Sequence, residues 1–136
     1  AGHAGPAHMS SARGFLVFGA IAGFLTVALG AFGAHALKLL LSADMLAIFN
    51  KGVQYQGLHA LALLATGQLF RESPLPALRW AGRFFILGIL LFCGSLYLLA
   101  ITQTRMLGVI TPFGGLSFLA GWLFLAVGCW KAEKAK

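Results

Sequence analysis

Four apolar runs, at about 14–34, 52–70, 84–101 and 109–130, occupy most of this chain. Each is close to the roughly 20 residues that a helix needs to cross a bilayer. A water-soluble helix carries a polar stripe through every turn, whereas residues 15–34 hold no ionisable group and only the hydroxyl of Thr26. With 60% hydrophobic and 10% charged residues, the composition excludes a soluble core. Residues 9–136 therefore read as a single all-α, four-span transmembrane domain. Short connections predict an up-down-up-down bundle. Residues 1–8 show no apolar pattern and read as an expression remnant ahead of Met9, set aside from function.

The formal charge of +7 does not point to nucleic acid, because the ten lysines and arginines sit at the ends of the apolar runs without a basic stripe. They are expected to set topology and to meet anionic headgroups. Four spans would put Arg13, Arg71, Arg79, Arg83, Lys131, Lys134 and Lys136 on one side and Lys38, Lys51 and Arg105 on the other. The positive-inside rule then places both termini in the cytoplasm of a bacterial inner membrane. The triplet Ala34-His35-Ala36 resembles a signal-peptidase site, but the preceding run exceeds the usual 7 to 15 residues, so a retained helix is expected.

Between the first two runs, Leu37, Leu40, Leu41, Met45 and Ile48 recur at spacings of three and four. That pattern predicts a short interfacial helix over 36–51, with Ser42 as a cap and Asp44 in its first turn. Pro74 and Pro76 enforce a sharp return between the second and third spans. Pro112 with Gly114 and Gly115 predicts a kinked or broken start to the fourth. Gly19, Gly23, Gly30 and Gly33, and on the fourth span Gly114, Gly115 and Gly121, are expected to bring helices into close contact. Cys93 and Cys129 would lie about 13 Å apart in depth at 1.5 Å per residue, too far for a disulfide.

With this orientation, nearly every polar side chain of the spans falls in the outer half. His35 ends the first span; Gln54, Tyr55, Gln56 and His59 lie on the second; Ser95 and Tyr97 on the third; Thr111 and Ser117 on the fourth. Gly52, Tyr55, Gln56 and His59 share one helical face, which should point inward or line a wet cavity. Such residues serve either as interhelical hydrogen-bond glue or as a site for a ligand or solute. His35 and His59 differ in depth by about 10 Å or more, so a shared haem or metal is not expected. No acidic residue completes a hydrolytic triad with Ser95, Ser117 and His59. Trp80 and Trp130 read as interface anchors, and Trp122, lying deeper, as packing.

The blocks Leu29-Gly30-Ala31-Phe32-Gly33-Ala34-His35, Gly52-Val53-Gln54-Tyr55-Gln56 with His59, Gly94-Ser95-Leu96-Tyr97, and Thr111-Pro112-Phe113-Gly114-Gly115 before Phe118-Leu119-Ala120-Gly121-Trp122 occur in that order. Together they resemble the domain-of-unknown-function 423 family of small bacterial inner-membrane proteins, related to eukaryotic transmembrane protein 256. The resemblance implies a multi-span membrane protein without an established activity, and it supplies no catalytic residue. Cys93 departs from the small residue expected there and takes no family role.

The leading expectation is a non-enzymatic inner-membrane protein whose polar outer half takes a lipid headgroup, a small molecule, a partner membrane protein or a second copy. No cofactor, metal or nucleic acid is expected. Permeation or transport of a small solute or ion, with the second span lining a vestibule, is the alternative. A redox or haem-binding subunit using His59 is the third.

Overall fold

The computed structural model describes residues 6–134, and within them the side chains of Ala34 and Lys134 are not described. All regular structure among the described residues is helical. Helix α1 spans Pro6–Leu37, α2 Ala43–Glu72, α3 Pro76–Thr102 and α4 Thr111–Lys134. Three segments are long and apolar enough to cross a membrane by length and composition: Pro6–Leu37, Pro76–Thr102 and Arg105–Glu133. Helix α2 has the length, but Gln54, Gln56, His59 and Gln68 dilute its apolar character.

The expected interfacial helix over 36–51 does not form as a separate element. Helix α1 runs on to Leu37, and α2 then begins at Ala43 and continues without interruption through Gly52 to Glu72. The physical reason is that Ser42 does cap a helix, accepting from the Met45 amide at 3.2 Å. Nothing after it ends one. A lone glycine costs a helix only about 1 kcal/mol and does not break it. The first helical turns of α2 therefore carry Met45 and Phe49, both buried.

Successive helices pack with their chains running in opposite directions. Along α1 and α2, Gly19 meets Ala60 and Leu64, Gly30 meets Val53, and Gly33 meets Phe49. Of the segment set aside as a remnant, residues 1–5 lie outside the described residues, while His8 is buried against the Phe70 carbonyl. Between α3 and α4, Gly88 receives the ring of Phe118, Gly121 that of Phe85, and Gly128 the side chain of Leu78. Helices α2 and α3 occupy the middle, and Leu63, Phe70, Leu78 and Phe85 fill the space between the helices with no exposure.

Two wide π-helical turns interrupt the α geometry, Leu29–Gly33 in α1 and Ile89–Cys93 in α3. The second is held against α4, where a Cβ on Gly114 would overlap the backbone of Phe92. Helix α4 itself is continuous from Thr111, so Gly114 and Gly115 do not unwind it. Gly114 serves close approach instead. Gly23 departs from the packing expectation, because a Cβ there would meet nothing within 4 Å. Cys93 is buried, Cys129 is exposed, and both are free thiols.

Candidate functional site

The polar face of α2 divides between two sets of partners. On one side, buried Gln56 joins three helices. Its amide nitrogen donates to the Ala22 carbonyl of α1 at 2.9 Å, and its amide oxygen accepts from the Tyr97 hydroxyl of α3 at 2.7 Å. Gly52 makes room for this, since a Cβ there would lie 2.7 Å from Cε1 of Tyr97. Every polar atom of that side-chain pair has a protein partner except the second amide hydrogen of Gln56. An open groove of about 380 Å³ lies beside it, lined by Phe18, Ile21, Leu25 and Leu90.

On the other side, His59 is 2% exposed and uses both ring nitrogens. Trp122 of α4 donates its indole N–H to Nε2 at 3.0 Å. An indole nitrogen is only a donor, so Nε2 carries no proton. Nδ1 lies 2.7 Å from the Tyr55 carbonyl, which only accepts, so Nδ1 holds the hydrogen. The imidazole is thus neutral and in one tautomer. Phe118 stacks on it with centroids 3.5 Å apart and planes 12° apart. The Tyr55 ring lies within 8° of the His59 plane and within 17° of the Phe118 plane.

These rings form the floor and one wall of an open cleft of about 570 Å³ between α2 and α4. Phe92 and Gly115 complete its inner lining, and Leu58, Leu116 and Leu119 border it with exposures of 53%, 62% and 62%. Trp122 and Tyr55 are 38% and 41% exposed, so both present ring surface to the cleft. The Tyr55 hydroxyl has no hydrogen-bond partner among the described residues. Among the described residues, no charged side chain lines the cleft.

The serine and threonine hydroxyls at the contact of α3 with α4 bond to those two helices. Ser95 donates to the Phe92 carbonyl at 2.9 Å and meets Thr111 at 2.6 Å, while Ser117 donates to the Phe84 carbonyl at 2.7 Å. The Ser95–Thr111 bond ties α3 just past its π turn to the start of α4, and the Ser117 bond ties α4 to α3 ahead of that turn. Gln54 and His35 stand apart from all of this, both exposed. His35 borders a shallow groove with Lys38 and Leu46, about 20 Å along α2 from His59 at 1.5 Å per residue.

Trp122, which from sequence reads as packing, is a hydrogen-bond partner of His59. Its signal is its register: Gly115, Phe118 and Trp122 recur at spacings of three and four, on the face of α4 that lines the cleft. An indole within an apolar run carries no outward sign that its N–H is used.

Comparison with known proteins gives a consistent result. The model of the family described as "Protein of unknown function (DUF423)" matches residues 29–115. A UPF0382 membrane protein of Staphylococcus saprophyticus is 44% identical over 117 residues, covering 86% of this chain and 97% of its own. The UPF0382 inner membrane protein YgdD of Escherichia coli K12 is 40% identical over 124 residues, covering 91% and 95%. No solved structure matches. The matched segment holds His35, the polar face of α2, the π turn of α3 and the start of α4, and with relatives aligned almost end to end this chain belongs to the DUF423 family of membrane proteins.

Proposed function

We propose that the protein is a four-span, non-enzymatic component of the bacterial cytoplasmic membrane, with both termini cytoplasmic, that holds an apolar membrane-soluble ligand in the cleft between α2 and α4. The observation that carries this reading is the cleft: an open concavity of about 570 Å³, floored by buried aromatic rings and bordered by exposed leucines. Sites of about 300 to 1,000 Å³ with apolar walls and few polar groups are the usual form of small-molecule sites. Helix α2 joins the other three as a span because it lies beside α1 from Gly33 at one end to His8 at the other, so the two share one depth range. At 30 residues it is about 45 Å long, more than a hydrocarbon core requires. Its buried polar side chains Gln56 and His59 face neighbouring helices, where protein partners satisfy them.

Binding is favoured over permeation by the packed interior, where Leu63, Phe70, Leu78 and Phe85 leave no solvent-exposed surface. It is favoured over haem ligation by the geometry of His59, whose Nε2 lone pair is taken by Trp122. Native mass spectrometry after extraction in a mild detergent tests the reading. The wild type should retain one lipid-sized molecule per chain, and Gly115→Leu, which projects a side chain into the cleft, should lose it. Identical bare spectra for both proteins would overturn the proposal.

A further inference from the structure

We propose, building on that ligand-binding reading, that the α2–α4 cleft is a site for a flat conjugated ring that bears a carbonyl and an apolar tail, the chemistry of a membrane quinone. Three features of the cleft select this class. The first is shape: the exposed ring of Tyr55 lies within 8° of the plane of buried His59, and the exposed Trp122 is inclined at 65° to that plane, giving one ring face with a steep aromatic wall. Flat rings stack offset on such a face and meet a neighbouring ring edge-on.

The second is polarity. A phospholipid headgroup favours a cation for its phosphate, yet no lysine or arginine among the described residues lines the cleft, and its histidine is held neutral by Trp122 and the Tyr55 carbonyl. The spare polar group is the Tyr55 hydroxyl, a neutral donor suited to a neutral carbonyl acceptor. In the groove between α1 and α3, by contrast, the Gln56 oxygen and the Tyr97 hydroxyl already bond to each other. The third is access. Exposed Leu58, Leu116 and Leu119 border the opening, so a tail can remain among acyl chains while the ring enters sideways.

The test titrates a short-tailed benzoquinone, decylubiquinone, into the protein in lipid nanodiscs, with Trp80→Phe and Trp130→Phe leaving Trp122 as the only indole. Saturable quenching of Trp122 is expected, not displaced by decylcyclohexane, which shares the tail but lacks planarity and carbonyls. Gly115→Leu should remove the saturable component, because a Cβ there has only the Phe92 ring at 3.9 Å before open space. Gly94→Leu, which fills the opposite groove where a Cβ meets nothing within 4 Å, should leave it unchanged. Tyr55→Phe should weaken binding by about three- to tenfold, the loss of one hydrogen bond. Linear quenching that Gly115→Leu shares would mean partition into the bilayer only and would overturn the inference. Should Gly115→Leu fail to fold, equal affinity for wild type and Tyr55→Phe overturns it instead. A phospholipid retained in native mass spectra alongside linear quinone quenching would sink the ring class and leave the cleft reading standing. Loss of both results would remove the cleft reading itself.

Discussion

His59 shows how a polar residue in a membrane bundle is made tolerable by its neighbours. Its two nitrogens are matched to one donor and one acceptor, and a second ring proton would set N–H against the N–H of Trp122. Removing the donor should therefore be costly. Trp122→Phe is expected to lower stability by about 1–3 kcal/mol, because a buried acceptor is left without a partner. A double-mutant cycle with His59→Phe should give a coupling of about 0.6–1.7 kcal/mol, the range for hydrogen bonds in membrane bundles. Reversible unfolding in mixed dodecyl-sulfate micelles measures both. Additive effects would show that the bond seen here contributes nothing to the fold. The spacing of Tyr55, Gln56 and His59 makes them readable as an inward face from the chain alone. Their division between Tyr97 on one side and Trp122 on the other is not readable, since adjacent positions on one helical face can serve two different neighbours.

At the scale of elements, the glycines sort by what a methyl group would strike. A Cβ on Gly114 would overlap the Phe92 amide and Cα, and backbone cannot swing aside as a side chain can. Gly114→Ala should pry α4 from the π turn of α3 and cost about 1–3 kcal/mol from overpacking. Gly23→Ala meets nothing within 4 Å. It should be neutral or gain up to about 1 kcal/mol from helix propensity. Thermal melts of the two variants in one detergent give the comparison, and equal destabilisation would contradict it. Both glycines sit at helix-contact spacing in the sequence, which is why spacing cannot separate them. Only the crossing geometry does. The extent of α2 is hidden for a related reason: Ser42 and Asp44 mark a helix start correctly, but Asn50, Lys51 and Gly52 ahead of the second apolar run look like a boundary when they lie inside one continuous helix.

For the whole molecule, the apolar runs make helices at 14–34, 84–101 and 109–130 readable from hydropathy, and the second run is the one that composition underrates. A helix that packs against its neighbours along its length needs less lipid-facing surface, so it can carry glutamine and histidine that an outer helix cannot. Whether α2 crosses the membrane then decides the orientation of everything after it. If it does, the positive-inside rule puts Ser42 and Arg105 on the outer side and Ser73 on the cytoplasmic side. Single cysteines at these positions, in a Cys93→Ala, Cys129→Ser background, separate the arrangements in intact cells. A membrane-impermeant maleimide should label Ser42→Cys and Arg105→Cys from outside, and Ser73→Cys only after lysis. Labelling of Ser42→Cys and Ser73→Cys from the same side would confine α2 to one surface. In that case the contacts of α2 with α1 between Gly33 and His8 would have to form along the membrane surface, where the exposed Phe24 and Val27 of α1 would lose the lipid that covers them. In the crossing arrangement, by contrast, hydrocarbon covers the outward faces of α1 and α4, where Phe24, Phe113 and Leu123 are 72%, 62% and 70% exposed.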